Sequence, residues 1–152
     1  MAKDPKRDLL RHLVATVAFR TRVALADAPP NFAHFRVAES SRTPAETLAH
    51  IGDLLIGSKY LLQGEVVLLR SKPLCWEEEI ARFYSTVAEL DSFLDSDASL
   101  VHPIEKMVQG PIGDALAHVG QIVMLRRIFG STVCETAYFT AEVFPESLKE
   151  KT

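Results

Sequence analysis

The chain has 152 residues, 47% of them hydrophobic and 24% charged, with 17 Lys and Arg against 20 Asp and Glu and a net charge of −3. This balance excludes a disordered, collagenous or disulfide-stapled chain, and the lack of any basic run argues against a nucleic-acid partner. At this length folding hides roughly 68–70% of the unfolded surface, so one sizeable core and a single domain over residues 1–152 are expected.

Four segments carry helical periodicity. The first runs from about Pro5 to Asp27, with Leu9, Leu10, Leu13, Val14, Val17 and Val23 at helical spacing, and Ala28-Pro29-Pro30 stops it. The second opens on Thr43-Pro44-Ala45-Glu46, a Thr cap with Pro at the first helical position and Glu three residues past the cap, and continues to Gln63. The third spans about Cys75 to Ser96. Glu77, Glu78 and Glu79 suit the positive end of its dipole, and Ile80, Phe83, Val87, Leu90 and Leu94 make a buried stripe. The fourth runs from about Pro111 to Phe129, with an earlier turn over Ile104 to Gln109, and Gly130 is placed to end it in a left-handed cap. From Ser131 onward β-branched and aromatic residues predict an extended tail lying across the helices.

This pattern predicts an all-α four-helix bundle. The 11 residues from Gly64 to Leu74, fully extended, reach about 36 Å, long enough to let helices two and three run parallel. No apolar run approaches the ~18 residues of a membrane span, and the mixed charges of Met1 to Asp8 do not resemble a signal peptide, so an intracellular, cytoplasmic protein without membrane contact is expected. Cys75 and Cys134 form no Cys-x-x-Cys pair and are expected to be free thiols.

The fourth helix is apolar almost all round and is expected to be mostly buried. Before Arg126-Arg127 its polar side chains are Asp114, His118 and Gln121, which at about 100° per residue share one stripe that Leu125 continues inward. A buried carboxylate left alone costs several kcal/mol, so Asp114 is expected to meet a cation or an imidazole. His50 lies at the edge of the apolar arc of the second helix. If it faces the same cavity, His50, Asp114 and His118 form a two-His, one-carboxylate set that leaves positions open on a divalent ion. The structural alternative is a hydrogen-bonded Asp114/His118 pair beside a satisfied core histidine.

The stretches Arg42-Thr43-Pro44-Ala45-Glu46-Thr47-Leu48-Ala49-His50-Ile51 and Gln109-Gly110-Pro111-Ile112-Gly113-Asp114-Ala115-Leu116-Ala117-His118-Val119-Gly120-Gln121 resemble the DinB-like superfamily of four-helix bundles. The resemblance extends over nearly the whole chain, through Arg126 to Gly130 and Tyr138-Phe139. It implies an up-down-down-up bundle, a homodimer, and a divalent metal held by three side chains, usually histidines. His50 then corresponds to the ligand of the second helix and His118 to the later His of the fourth. Many relatives carry His where this chain has Asp114. A carboxylate there still suits zinc, nickel, manganese or ferrous iron, and shifts preference toward harder ions.

Other residues carry weaker signals. His12 and His102 read as surface residues, and His34, between aromatics on a long loop, is a lid candidate. Cys75 at a helix start could be activated by the dipole, but Glu77, Glu78 and Glu79 oppose a thiolate, which leaves an ordinary, partly buried thiol. Arg126 and Arg127 complement the dipole of the fourth helix. A di-iron carboxylate site needs Glu-x-x-His on two helices, and the sequence has none. Two functions compete. The resemblance implies a metal-dependent enzyme acting on a small molecule, a transferase or isomerase using a low-molecular-weight thiol such as bacillithiol or mycothiol. The other is a non-catalytic dimeric stress or binding module with a vestigial site. A solvent-open site beside a pocket favours the first, and a closed, hydrogen-bonded cluster favours the second.

Overall fold

The computed structural model describes residues 4–144. Helix α1, Pro5–Leu25, starts where the Asp4 carboxylate accepts the Lys6 amide at 3.0 Å and buries Leu10, Val14, Val17, Ala18 and Ala24. A 3-10 turn over Pro30–His34 then seats Phe32 and Ala33 in the core. Helix α2, Pro44–Leu62, opens on the anticipated capping box: Thr43 Oγ1 accepts the Glu46 amide at 3.2 Å while Glu46 Oε2 accepts the Thr43 amide at 2.7 Å. Arg36 grips the same carboxylate through both oxygens, at 2.9 and 3.0 Å, which ties the preceding loop to this helix start.

Helix α3, Trp76–Asp95, buries Phe83, Val87, Leu90 and Leu94. Of its three leading glutamates only Glu79 turns inward. Its carboxylate is 1% exposed and accepts the Leu74 amide at 2.8 Å and two Arg82 donors, so it pins the incoming loop as well as answering the dipole. Asp53 of α2 holds the same loop further back, accepting the Ser71 amide and hydroxyl at 2.8 and 2.6 Å. The last helical stretch has three parts: α4, Ile104–Met107, a π turn over Val108–Ile112, and α5, Gly113–Phe129. Gly130 ends α5 at φ 90°, the left-handed cap expected of it.

The chain is all-helical, with four long helices and no strand among the described residues. Helix α1 packs on α3 and α5, and α2 packs on the same two, around one core that includes Leu10, Leu48, Ile51, Phe83, Leu90 and Ile122. Polar pairs mark how the ends meet. Arg11, early in α1, bonds Asp91 at 2.8 and 3.0 Å and also Asp95, both late in α3, and Lys59, late in α2, pairs with Glu89 of α3. Among the described residues no helix is long and apolar enough to cross a membrane.

Three expectations are corrected. The fourth helix is not buried all round: Met124 and Ile128 are 55% and 54% exposed, because α5 turns its opposite side to α1 and α2. Asp114 lies on the edge of that open face, with half of its side chain in solvent. Cys75 is an exposed free thiol rather than a partly buried one, since Trp76 takes the inward position at the helix start. From Ser131 to Phe144 the chain has no regular element apart from a turn at 138–140, and it lies against α1 through Tyr138, whose ring meets Phe19 edge-on at 6.2 Å. The remainder of the expected tail, 145–152, lies outside the described residues.

Candidate metal centre

Two features of the backbone aim the α5 ligands. The helical stretch kinks before α5 at Gly110, whose φ of −102° and ψ of −109° are not helical, and Pro111 follows it. A kink at Gly and Pro redirects the helix beyond it relative to a continuous α-helix. Gly113 closes the turn where a Cβ would stand 2.9 Å from the Val108 carbonyl oxygen, so only glycine fits there without a shift. Asp114 follows immediately, and His118 lies one turn further on.

The structure brings the three expected residues together. His50 Nε2, Asp114 and His118 each offer a ligand atom, and these atoms all lie within 4.8 Å of one another. Asp114 Oδ1 is 3.3 Å from His118 Nε2, and Asp114 Oδ2 is 3.7 Å from His50 Nε2. The imidazoles meet edge to face, with ring centres 4.6 Å apart at 84°. Two bonds of about 2.0–2.1 Å at a tetrahedral angle separate their donor atoms by about 3.3 Å, so the donor set fits one small divalent ion.

Gln121, one turn beyond His118, accounts for the ring orientation. Its Oε1 lies 2.8 Å from His118 Nδ1 and accepts the proton there. This leaves Nε2 as the ring atom that faces the Asp114 carboxylate, 3.3 Å away, in the space shared with His50. A ligating imidazole fixed by a hydrogen bond from its other nitrogen is the usual support of a metal site. Burial lowers the pKa of His50 below that of an ordinary imidazole, and the neighbouring Arg42 and His118 add to this, while the carboxylates of Asp114 and Asp53 oppose it. Its neutral, ligating form is favoured as a result.

The site opens to solvent. His118 is buried, but 28% of the His50 side chain and half of Asp114 are exposed. Beside it, sharing Gln121, runs a groove of about 620 Å³ lined by Val37 and Arg42 of the loop before α2, by Thr47 of α2, and by Met124, Leu125 and Ile128 of α5. His12, His34 and His102 are exposed and lie outside the cluster. Sequence reasoning placed Gln121 on the stripe without its role, although the i+3 spacing from His118 was the available signal. Arg126, expected only to complement the dipole of its helix, is 1% exposed and reaches to the Ala24 carbonyl at the end of α1 and the Ala26 carbonyl just beyond it, at 3.0 and 2.7 Å. No family model, curated protein or solved structure matches this chain.

Proposed function

We propose that this chain is a divalent-metal-dependent enzyme of the DinB-like kind, with His50, Asp114 and His118 as protein ligands and the adjoining groove as the seat of a small-molecule substrate. The observation that carries the reading is the hydrogen bond from His118 Nδ1 to Gln121, because it commits Nε2 to the space shared with Asp114 and His50. An open site beside a groove favours chemistry over a closed hydrogen-bonded module. The low-molecular-weight-thiol transferase or isomerase chemistry implied by the resemblance is the activity proposed. A bound divalent ion would supply a thiol of lowered pKa, held as its conjugate base. Zinc and nickel suit two imidazoles best, and the carboxylate also admits manganese or iron.

The chain's own residues divide the remaining work. Val37, Met124, Leu125 and Ile128 offer apolar surface for the carbon frame of a substrate, and Arg42 offers a cation at the groove's edge. Asp114 neutralises part of an ion's charge and leaves room for an anionic ligand. Gln121 keeps His118 in one tautomer as the groove fills.

The proposed topology is up-down-down-up. The start of α1 meets the end of α3 through Arg11, Asp91 and Asp95, late α2 meets late α3 through Lys59 and Glu89, and the end of α5 reaches the end of α1 through Arg126. Thr47, early in α2, shares a groove with Leu125, late in α5. A homodimer is also proposed. Exposed Phe139, Val66 and Leu68 supply apolar surface for an interface of about 1,200–2,000 Å² in total, and a monomer by light scattering at micromolar concentration contradicts it. The exposed thiols of Cys75 and Cys134 suit a reducing, cytoplasmic setting.

Elemental analysis of protein purified without a metal-affinity tag tests the centre. One divalent ion per chain is expected, lost in His50→Ala and His118→Ala. Thiol consumption by the loaded protein with a panel of small electrophiles tests the chemistry. A loaded protein that consumes none leaves the binding module.

A further inference from the structure

On the other side of α5 from the metal ligands, the chain after Gly130 folds back to form an open cavity of about 710 Å³ between α1, α5 and the tail. Its lining carries two guanidinium groups, Arg20 from α1 and Arg127 from α5, with the Cys134 thiol, the hydroxyl-bearing Thr136 and Tyr138, and one carboxylate, Glu135. Arg20 lies over the Tyr138 ring at 3.9 Å from its centre. A stacked guanidinium spends its face on the ring and keeps its in-plane N–H groups free, the arrangement that binds oxyanions through paired hydrogen bonds. Among the described residues neither Arg20 nor Arg127 forms an ion pair, in a chain whose net charge is −3. The cavity wall is set by Arg126, whose second nitrogen bonds Ser131 Oγ at 2.7 Å and the Thr132 carbonyl at 2.9 Å and so fixes where the tail leaves the helix. Val123, Val133 and Ala137 add apolar surface.

We infer that this cavity binds a small organic dianion, a phosphate ester or a dicarboxylate with a compact apolar group, its charge held between Arg20 and Arg127 and its carbon frame against Val123 and Val133. The site is independent of the metal centre and stands or falls without it.

Cys134 is a reporter built into the wall, and exposed Cys75, bordered by Glu77 at 4.0 Å, is an internal control. Alkylation of the whole protein by anionic iodoacetate and neutral iodoacetamide, followed at each cysteine by peptide mass spectrometry, separates charge attraction from thiol reactivity, because thiolate fraction cancels in the ratio of the two rates. The iodoacetate-to-iodoacetamide ratio at Cys134 should exceed that at Cys75, and should fall by about threefold or more in Arg127→Gln as the local positive field is reduced. Arg127 is exposed, so this variant keeps its fold, and an unchanged iodoacetamide rate at Cys134 verifies that the tail is still in place. Arg20→Gln is the second arm. Millimolar phenyl phosphate or phthalate should slow iodoacetamide at Cys134 and leave Cys75 alone, whereas neutral benzyl alcohol should protect neither. Protection by one of the two anions names the class. An unaltered ratio in both Arg variants, or no protection of Cys134 by either anion, overturns the proposal.

Discussion

Gln121 Oε1 accepts a hydrogen bond from His118 Nδ1 at 2.8 Å, and this contact leaves Nε2 facing the carboxylate of Asp114, 3.3 Å away. Two residues three positions apart on one helix therefore fix the direction of a ligand atom. The consequence extends to α2, because His50 Nε2 faces the other oxygen of the same carboxylate at 3.7 Å.

Asp114→Asn removes an anionic ligand while keeping its shape. Since the side chain is half exposed, the variant should cost under about 0.5 kcal/mol in chelator-treated protein, within the range of surface substitutions. With metal present the wild type should gain stability that the variant lacks, and excess metal should restore part of the difference. Asp114→His should rebuild a three-histidine set and keep its ion. Melting curves with and without chelator measure all three proteins, and identical curves throughout contradict a metal role for this position.

Gln121→Leu keeps the helix and removes the acceptor on His118. Metal affinity should drop about 10–100-fold, as for other supporting groups of ligating histidines. Competition with a chromogenic chelator reads this directly. Gln121→Glu, which still accepts the Nδ1 proton, should retain most of the affinity.

The depressed pKa of His50 sets a pH dependence. Above about 6.5 the imidazole is neutral in both folded and unfolded chains. As pH falls below that value the unfolded chain takes the proton first, so metal-free protein should lose stability progressively as pH passes down through the folded pKa. His50→Gln should flatten this part of the profile in denaturant titrations from pH 8 to 5. Arg42→Gln removes a charge that helps to depress the pKa and should shrink the loss. Metal affinity should fall over the same range, because protons compete for the ligands.

Arg126→Met should destabilise the fold by about 2–4 kcal/mol, since it leaves the Ala24, Ala26 and Thr132 carbonyls without their donor. Arg126→Lys should recover little, because a single ammonium cannot span the end of α1 and the Ser131–Thr132 corner at once. Urea denaturation measures both, and a Lys variant as stable as the wild type would show that charge rather than the planar fork is required.

What the sequence by itself determined was local. The Thr43–Glu46 capping box, the Gly130 cap, the α3 stripe and most of the α1 stripe depend on neighbours a few positions apart, and the structure has them where spacing put them, although Leu9 is exposed and α1 ends at Leu25, two residues short of Asp27. The i,i+4 pairing of Asp114 with His118 was equally legible, and the apolar arc of α2 pointed to His50. Tertiary packing decided the rest, because exposure and long-range partners depend on which helices become neighbours. It left the outer face of α5 open where composition implied burial, turned Glu79 inward and Cys75 outward, and sent Arg126 to the end of a helix a hundred positions earlier. Whether His50 meets Asp114 was also a tertiary outcome. A kink at Gly110 and a glycine at 113 too tight for any Cβ set the direction of α5, and with that direction three separate polar residues lie around one point.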